Sequence, residues 1–206
     1  MHIPDGYLDP AWVAATYAAV IGYFGVMAKK FRPVVTPEAA VLAAGIFVAQ
    51  MLNWPLPGGT SLHLVGGALA AAILGPWSGS VVMGLVVTIQ CLLFHDGGIT
   101  ALGANLLNMA VIDVLVGYAV FKTIRSRVGG VRGLFLGGLL GGWTGIVAAG
   151  VACGIEIGLS PQWPFGVAVT VPIMGGWHAI LGIVEGIITG SVLAYLGAKA
   201  PEVIKG

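Results

Sequence analysis

The sequence predicts an all-α integral membrane protein, a bundle of seven transmembrane helices with its amino terminus outside and its carboxyl terminus inside. Composition is the first reason. Of 206 residues, 58% are hydrophobic and 8% are charged, whereas a soluble domain carries about 25% charged residues. So few charges cannot cover a water-facing surface. The second reason is a series of seven apolar runs separated by turn-forming residues. The third is the placement of the nine basic residues, which form three clusters: Lys29/Lys30/Arg32, Lys122/Arg125/Arg127/Arg132 and Lys199/Lys205. Basic loops stay cytoplasmic. Seven spans with Met1 outside put every cluster inside, whereas six spans put them on opposite faces.

The runs follow in order. The first is Ala11 to Ala28, stopped by Lys29-Lys30-Phe31-Arg32-Pro33. The second, Glu38 to Asn53, closes at Trp54-Pro55-Leu56-Pro57-Gly58-Gly59. The third starts near Leu62 and reaches Gly75-Pro76, and the fourth is Ser80 to Phe94, stopped by His95-Asp96-Gly97-Gly98. Both are short of the ~20 residues that a bilayer core needs, and a single kinked span from Leu62 to Phe94 is the alternative that the charge pattern disfavours. The fifth is Ala101 to Phe121, the sixth Gly133 to about Gly158, and the seventh about Ile173 to Leu196. One membrane domain over 1–206 is expected, with an outer tail at 1–10, helices within 11–198 and a cytoplasmic tail at 199–206. The start lacks the basic residues of a signal peptide, and the bulky His2 is expected to keep Met1 in place.

The chemistry concentrates at Met1-His2-Ile3-Pro4-Asp5-Gly6. A free terminus followed by His offers the α-amine of Met1, the main-chain nitrogen of His2 and the His2 imidazole. Binding all three closes two fused chelate rings in one plane. Square-planar nitrogen sites suit Ni(II) or Cu(II). One position is left for a fourth nitrogen. Taken alone, such a tail is usually an ordinary frayed end. The predicted topology changes that weighing, because His2, His63, His95 and His178 all fall on its outer side. His63 is the best fourth ligand, since it follows the turn-rich Pro57-Gly58-Gly59-Thr60-Ser61, which can fold over the bundle mouth. His95 is a weaker candidate, and His178, beside Trp177, also suits an interfacial anchor.

Other features read as structure. Gly133, Gly137, Gly141 and Gly145 repeat every four residues, as in helix faces that pack closely in membranes. Ala39, Ala40, Ala43 and Ala44 form a second small-residue patch, for packing within the chain or against a separate subunit. Cys91 and Cys153 sit in apolar runs and read as small buried hydrophobes. Asp113 and Glu185 lie inside spans, where carboxylates are functional candidates by default; hydrogen bonding between helices is the reading preferred over metal ligation. Nucleotide-binding and hydrolase motifs are absent, as is a basic face for nucleic acid. If the chain moves a metal uphill, the energy comes from another polypeptide or an ion gradient.

Met1-His2-Ile3-Pro4-Asp5-Gly6-Tyr7-Leu8 resembles the opening of the nickel/cobalt-binding membrane subunits of energy-coupling-factor transporters, the NikM/CbiM family. The likeness continues through Pro55 to His63, Leu74-Gly75-Pro76-Trp77, Asp96 to Asn105 and Asn108-Met109-Ala110. It implies an S-component, the substrate-binding subunit, with an extra N-terminal helix. It implies a square-planar metal held by Met1, His2 and His63, with Ni(II) as transported substrate and Co(II) as alternative. The implied partners are a transmembrane coupling subunit, a pair of cytoplasmic ATPases that bind the nucleotide, and often a small accessory membrane protein. The implied location is a prokaryotic plasma membrane. Two other classes stay open on the residues alone: an intramembrane metalloenzyme using His178, Glu185 and His63, and a standalone channel or exchanger lined by Asp113 and Glu185.

Overall fold

A computed structural model describes residues 1–31 and 36–205. Seven helices run through the described residues: α1 Pro10–Lys30, α2 Pro37–Gln50, α3 Gly67–Leu74, α4 Pro76–Phe94, α5 Leu102–Val128, α6 Gly130–Leu159 and α7 Val167–Lys199. Five of them, all but α2 and α3, are long and apolar enough to cross a membrane. Aliphatic side chains such as Ile21, Val41, Val48 and Ile180 stay exposed on the outer surfaces of the helices, as lipid-facing positions do. Arg32 and Pro33 of the first basic stop lie outside the described residues.

Local chemistry sets the helix ends. Asp9 caps α1 by accepting the N–H groups of Ala11 and Trp12, with Pro10 at the first helical position. Thr36 does the same for α2 ahead of Pro37. Gly75 (φ +82°) breaks α3 from α4.

Several boundaries differ from the sequence expectation; the fifth helix, for one, runs on past Phe121 through its basic stop to Val128. The third run does not start helical at Leu62. Residues 61–66 are non-helical, and α3 begins only after Gly66, whose φ of +84° is left-handed. Its far end still reaches the C-terminal segment, where the Lys205 N–H bonds the Ile73 carbonyl at 2.8 Å. The seventh run begins earlier, at Val167, because Pro172 lies within the second turn and does not stop the helix. The Thr170 hydroxyl ties that turn to α6 by donating to the Gly154 carbonyl at 2.6 Å.

The glycine repeat of α6 serves two faces. Gly137, Gly141 and Gly145 lie against Phe121, Gly117 and Asp113 of α5; a Cβ at Gly141 would stand 2.7 Å from the Gly117 carbonyl oxygen. Gly138 and Gly142 meet α7 at Gly190 and Gly186, where an added Cβ would stand 2.8 and 3.1 Å from their Cα atoms. Backbones touch here, as small residues allow. The alanine patch of α2 is divided: Ala39 packs inward with Ala43, while Ala40 and Ala44 are exposed. Cys91 and Cys153 are free and buried, as expected.

Candidate metal centre

Three non-helical segments meet at one end of the bundle: the tail 1–9, the hairpin after α2, and the loop after α4. In the hairpin, Trp54–Pro55 pairs antiparallel with Ser61–Leu62 around a turn that uses Gly58 at φ +78°. It folds over the bundle mouth, as the turn-rich run at 57–61 suggests. In the loop, Gly97 (φ +89°) and Gly98 press against the tail. A Cβ at Gly98 would collide with the Asp5 main chain, so this Gly-Gly pair is what lets the tail lie flat.

The tail is held along its length. Ile3 N–H donates to Asn105 Oδ1 at 2.8 Å, and Asn105 Nδ2 donates back to the Ile3 carbonyl at 3.1 Å. Gly98 N–H donates to that same carbonyl at 2.9 Å. Asp5 accepts the hydroxyl and N–H of Thr100, which hold its carboxyl below the usual range. Tyr7 stacks on Trp163 with centroids 3.9 Å apart. Met1 and Ile3 are fully buried, and His2 is 3% exposed.

The first two residues present their nitrogens together. The Met1 amine donates to Ser61 Oγ at 2.7 Å and to the Ser61 carbonyl, and the His2 N–H reaches the same Oγ at 3.2 Å. Successive main-chain nitrogens share one acceptor only when they lie on the same side of the Met1 residue. That is the conformation a five-membered chelate ring requires. The His2 and His63 rings stack beside them, 4.6 Å between centroids at an interplanar angle of 22°. His63 Nδ1 bonds the Leu64 carbonyl at 2.8 Å. A carbonyl only accepts, so the proton is on Nδ1 and the lone pair is on Nε2. That Nε2 is buried with no hydrogen-bond partner, as are both ring nitrogens of His2. Asp96 Oδ1 stands 3.4 Å from His2 Nδ1.

Electrostatics keeps these nitrogens neutral. Burial lowers the Met1 amine from 8.0 to about 5 and His2 from 6.5 to about 3. Burial also pushes Asp96 upward. Neutral amine and imidazole are ligands, whereas their protonated forms are not. Among the described residues, no group of three or more His, Cys, Asp or Glu side chains could hold a metal.

Other candidates take different places. His178 is not an interfacial anchor: it is fully buried on Gly150 of α6, within electrostatic reach of the Met1 amine, while Trp177 is 49% exposed. His95 is exposed at the rim of an open pocket of about 540 Å³, which also touches His2, Ser61 and Asp96. Asp113 bonds the first residue of α3, Gly67, as expected of bonding between helices, whereas Glu185 bonds not a helix but the non-helical Val65 and Gly66 just after His63. Glu156 lies inside the sixth run and carries the same intramembrane-carboxylate signal as Asp113 and Glu185, though the sequence expectation names only those two, while Asn105 enters only within the resembling stretch Asp96 to Asn105. Asn105, which bonds the tail, stands just ahead of a six-residue π turn in α5, Leu107–Ile112, and Asn108 within that turn donates to Glu156 at 2.6 Å.

Residues 2–203 match the family model of CbiM, the cobalt uptake substrate-specific transmembrane region. The chain belongs to the CbiM family. This CbiM-family chain is 50% identical over 206 residues to a protein of Archaeoglobus fulgidus provisionally named a fused nickel transport protein NikMN, covering all of this chain and 68% of that one. It is 37% identical over 222 residues to the fused nickel transport protein NikMN of Rhodobacter capsulatus, covering 99% of this chain and 64% of the longer relative. A crystal structure of a truncated transition metal transporter superposes with a TM-score of 0.87 at 42% identity, covering 95% of this chain and 98% of that one. The family is one of multi-pass prokaryotic membrane transport proteins and not of enzymes, which removes the metalloenzyme reading.

Proposed function

We propose that this chain is the substrate-specific subunit of an ATP-driven Ni(II) importer, and that it captures the ion at the outer face through the Met1 amine, the His2 amide nitrogen, the His2 imidazole and His63 Nε2. The carrying observation is the convergence of the Met1 and His2 main-chain nitrogens on Ser61 Oγ, next to two imidazoles with free lone pairs. Ser61 Oγ stands in for the ion: it accepts from two nitrogens that an ion would hold at once. Capture then exchanges those hydrogen bonds for metal bonds and removes the His2 amide proton. His2 turns Nδ1 from Asp96 toward the shared plane, and His63 closes it.

The nickel names of the fused relatives support nickel as cargo, and the family's cobalt description keeps Co(II) as the second candidate. A square plane rejects Zn(II), which prefers a tetrahedron, and accepts Cu(II) at least as well as Ni(II). A coupling membrane subunit and two cytoplasmic ATPases supply the energy, since this chain has no nucleotide-binding motif. The basic clusters support an outward-facing tail.

Metal titration of the purified chain tests this reading. Native protein should bind one Ni(II) with a planar visible spectrum, while an added residue before Met1 and His63→Ala should each weaken binding strongly. Unchanged affinity in both variants would refute the site.

A further inference from the structure

His63 is held by a peptide group whose other end is gripped inside the bundle. The imidazole Nδ1–H donates to the Leu64 carbonyl at 2.8 Å. The N–H of that same peptide, on Val65, donates to Glu185 Oε2 at 2.7 Å. The second oxygen, Oε1, accepts the next N–H, Gly66, at 2.8 Å. Gln50 Nε2 donates to the Val65 carbonyl at 2.7 Å, and Asp113 Oδ2 accepts the Gly67 N–H at 2.8 Å. Successive main-chain groups of residues 64–67 are thus fixed by side chains from α2, α5 and α7. Glu185 is 3% exposed, and Gln50 and Asp113 are fully buried.

We propose that Glu185 is the positioning residue for His63: through the Leu64–Val65 peptide it sets the orientation and basicity of the imidazole that closes the metal plane. This rests on the proposed four-nitrogen site.

The physics is that of outer-shell control. A ligating imidazole is usually oriented by an acceptor on its other nitrogen, and losing that partner costs 10–100-fold in metal affinity. Here the acceptor is a carbonyl. Hydrogen bonds in a chain polarise one another, so an acceptor on the Val65 N–H makes the Leu64 oxygen a better acceptor for Nδ1–H. Geometry matters as much. Residues 61–66 have no helix or long strand to stiffen them. Glu185 takes two consecutive N–H groups and so fixes two peptide planes. Gly66, left-handed at φ +84°, lets both N–H groups face one side chain. Removing the carboxyl frees that peptide to rotate and takes Nε2 off its line.

The arrangement also links the metal plane to α7. The gap where α2 and α7 stand apart is an apolar cleft of about 270 Å³, with Glu185 and Val65 in its lining. A shift of α7 along this cleft would act on His63 directly, without touching the tail.

The test is a double-mutant cycle on the purified full chain in detergent, titrated with NiCl2 and read by affinity and by the ligand-field bands of bound Ni(II). Glu185→Ala should lower affinity about 10–100-fold and shift the bands toward those of His63→Ala, where water replaces one nitrogen. Adding Glu185→Ala to His63→Ala should cost nothing further, because the imidazole through which Glu185 acts is gone. Glu185→Gln keeps the side-chain volume and one acceptor oxygen; it should fall between, and it carries the test if the alanine variant does not fold. Gly138→Val, which loosens α6 against α7 away from this segment, should lower thermal stability and leave the bands alone. A native spectrum in Glu185→Ala or Glu185→Gln, or additive losses in the double variant, would overturn the inference while leaving the four-nitrogen site intact. A wild-type protein that binds no planar Ni(II) would overturn both.

Discussion

The two ends of this molecule are built on opposite principles. Between α5, α6 and α7, glycines bring backbones into contact, with a few hydrogen bonds such as Thr170 to Gly154 and Asn108 to Glu156 across them. At the mouth, three non-helical segments meet, and long-range hydrogen bonds orient a tail whose Met1, Ile3 and Leu8 are buried in the core. The glycine-packed region tolerates no added atom, and its geometry is fixed by contact. The mouth is specified by directional bonds between residues as much as 152 positions apart and leaves several buried nitrogens unpartnered. Buried lone pairs without donors are costly in a purely structural region. They suit the cation that we propose this region accepts.

Mutations separate these principles. The largest effect is expected at the tail: His2→Ala removes the imidazole and the second chelate ring. Its loss of Ni(II) affinity should exceed the ~10–100-fold that outer partners cost, with little change in melting temperature, as isothermal titration and a thermal scan on one sample would check. A large fall in melting temperature would make His2 a structural residue instead. The reverse pattern is expected at Gly142→Val, where a Cβ would stand 3.1 Å from Gly186 Cα. Overpacking of this kind costs about 1–3 kcal/mol, so the melt should drop while the affinity of the surviving folded protein holds.

Asn105→Ala probes the seam between the regions. It removes both bonds to Ile3, each worth about 1 kcal/mol net, and should cost about tenfold or more in affinity. It should also speed hydrogen exchange at the Ile3 amide. Acidity should loosen the same seam. The Met1 amine is at about 5 in the docked tail against an ordinary 8.0, so between these values the free tail binds a proton that the docked tail does not. Docking is therefore complete above about pH 8 and weakens as pH falls toward 5. His2, lowered to about 3, acts in the same direction at lower pH. Exchange at Ile3 measured across this range should show protection falling with pH; protection independent of pH would contradict the burial of the amine. Ser61→Ala is expected to do least, below tenfold, because the Ser61 carbonyl still receives the Met1 amine.

The glycine-packed half was readable in the sequence because its rule is local: one residue in four, repeated along one helix. The tail was readable for a similar reason, since three donors within two residues define a chelate without any fold. The placement of His63 beside the tail was within reach because the turn-rich run before it can fold back over the mouth. What the sequence does not carry is the long-range bonding. Asn105 looks like any polar residue near a helix start, and only the fold brings it to the Ile3 main chain. His178 reads as interfacial beside Trp177, yet one faces the core and the other the surroundings, because successive residues on a helix point about 100° apart. The late start of α3 follows from bonds made by Glu185 and Asp113, each more than 45 positions away.

The central claim is that the amino group of Met1 is a metal ligand. Nickel K-edge absorption of the purified chain, with its native start and with one residue added before Met1, tests it most directly. The native chain should show a planar site of four nitrogen neighbours, and the extended chain should lose it. An oxygen-rich six-coordinate ion in the native chain, or an unchanged planar spectrum in the extended one, would contradict the claim.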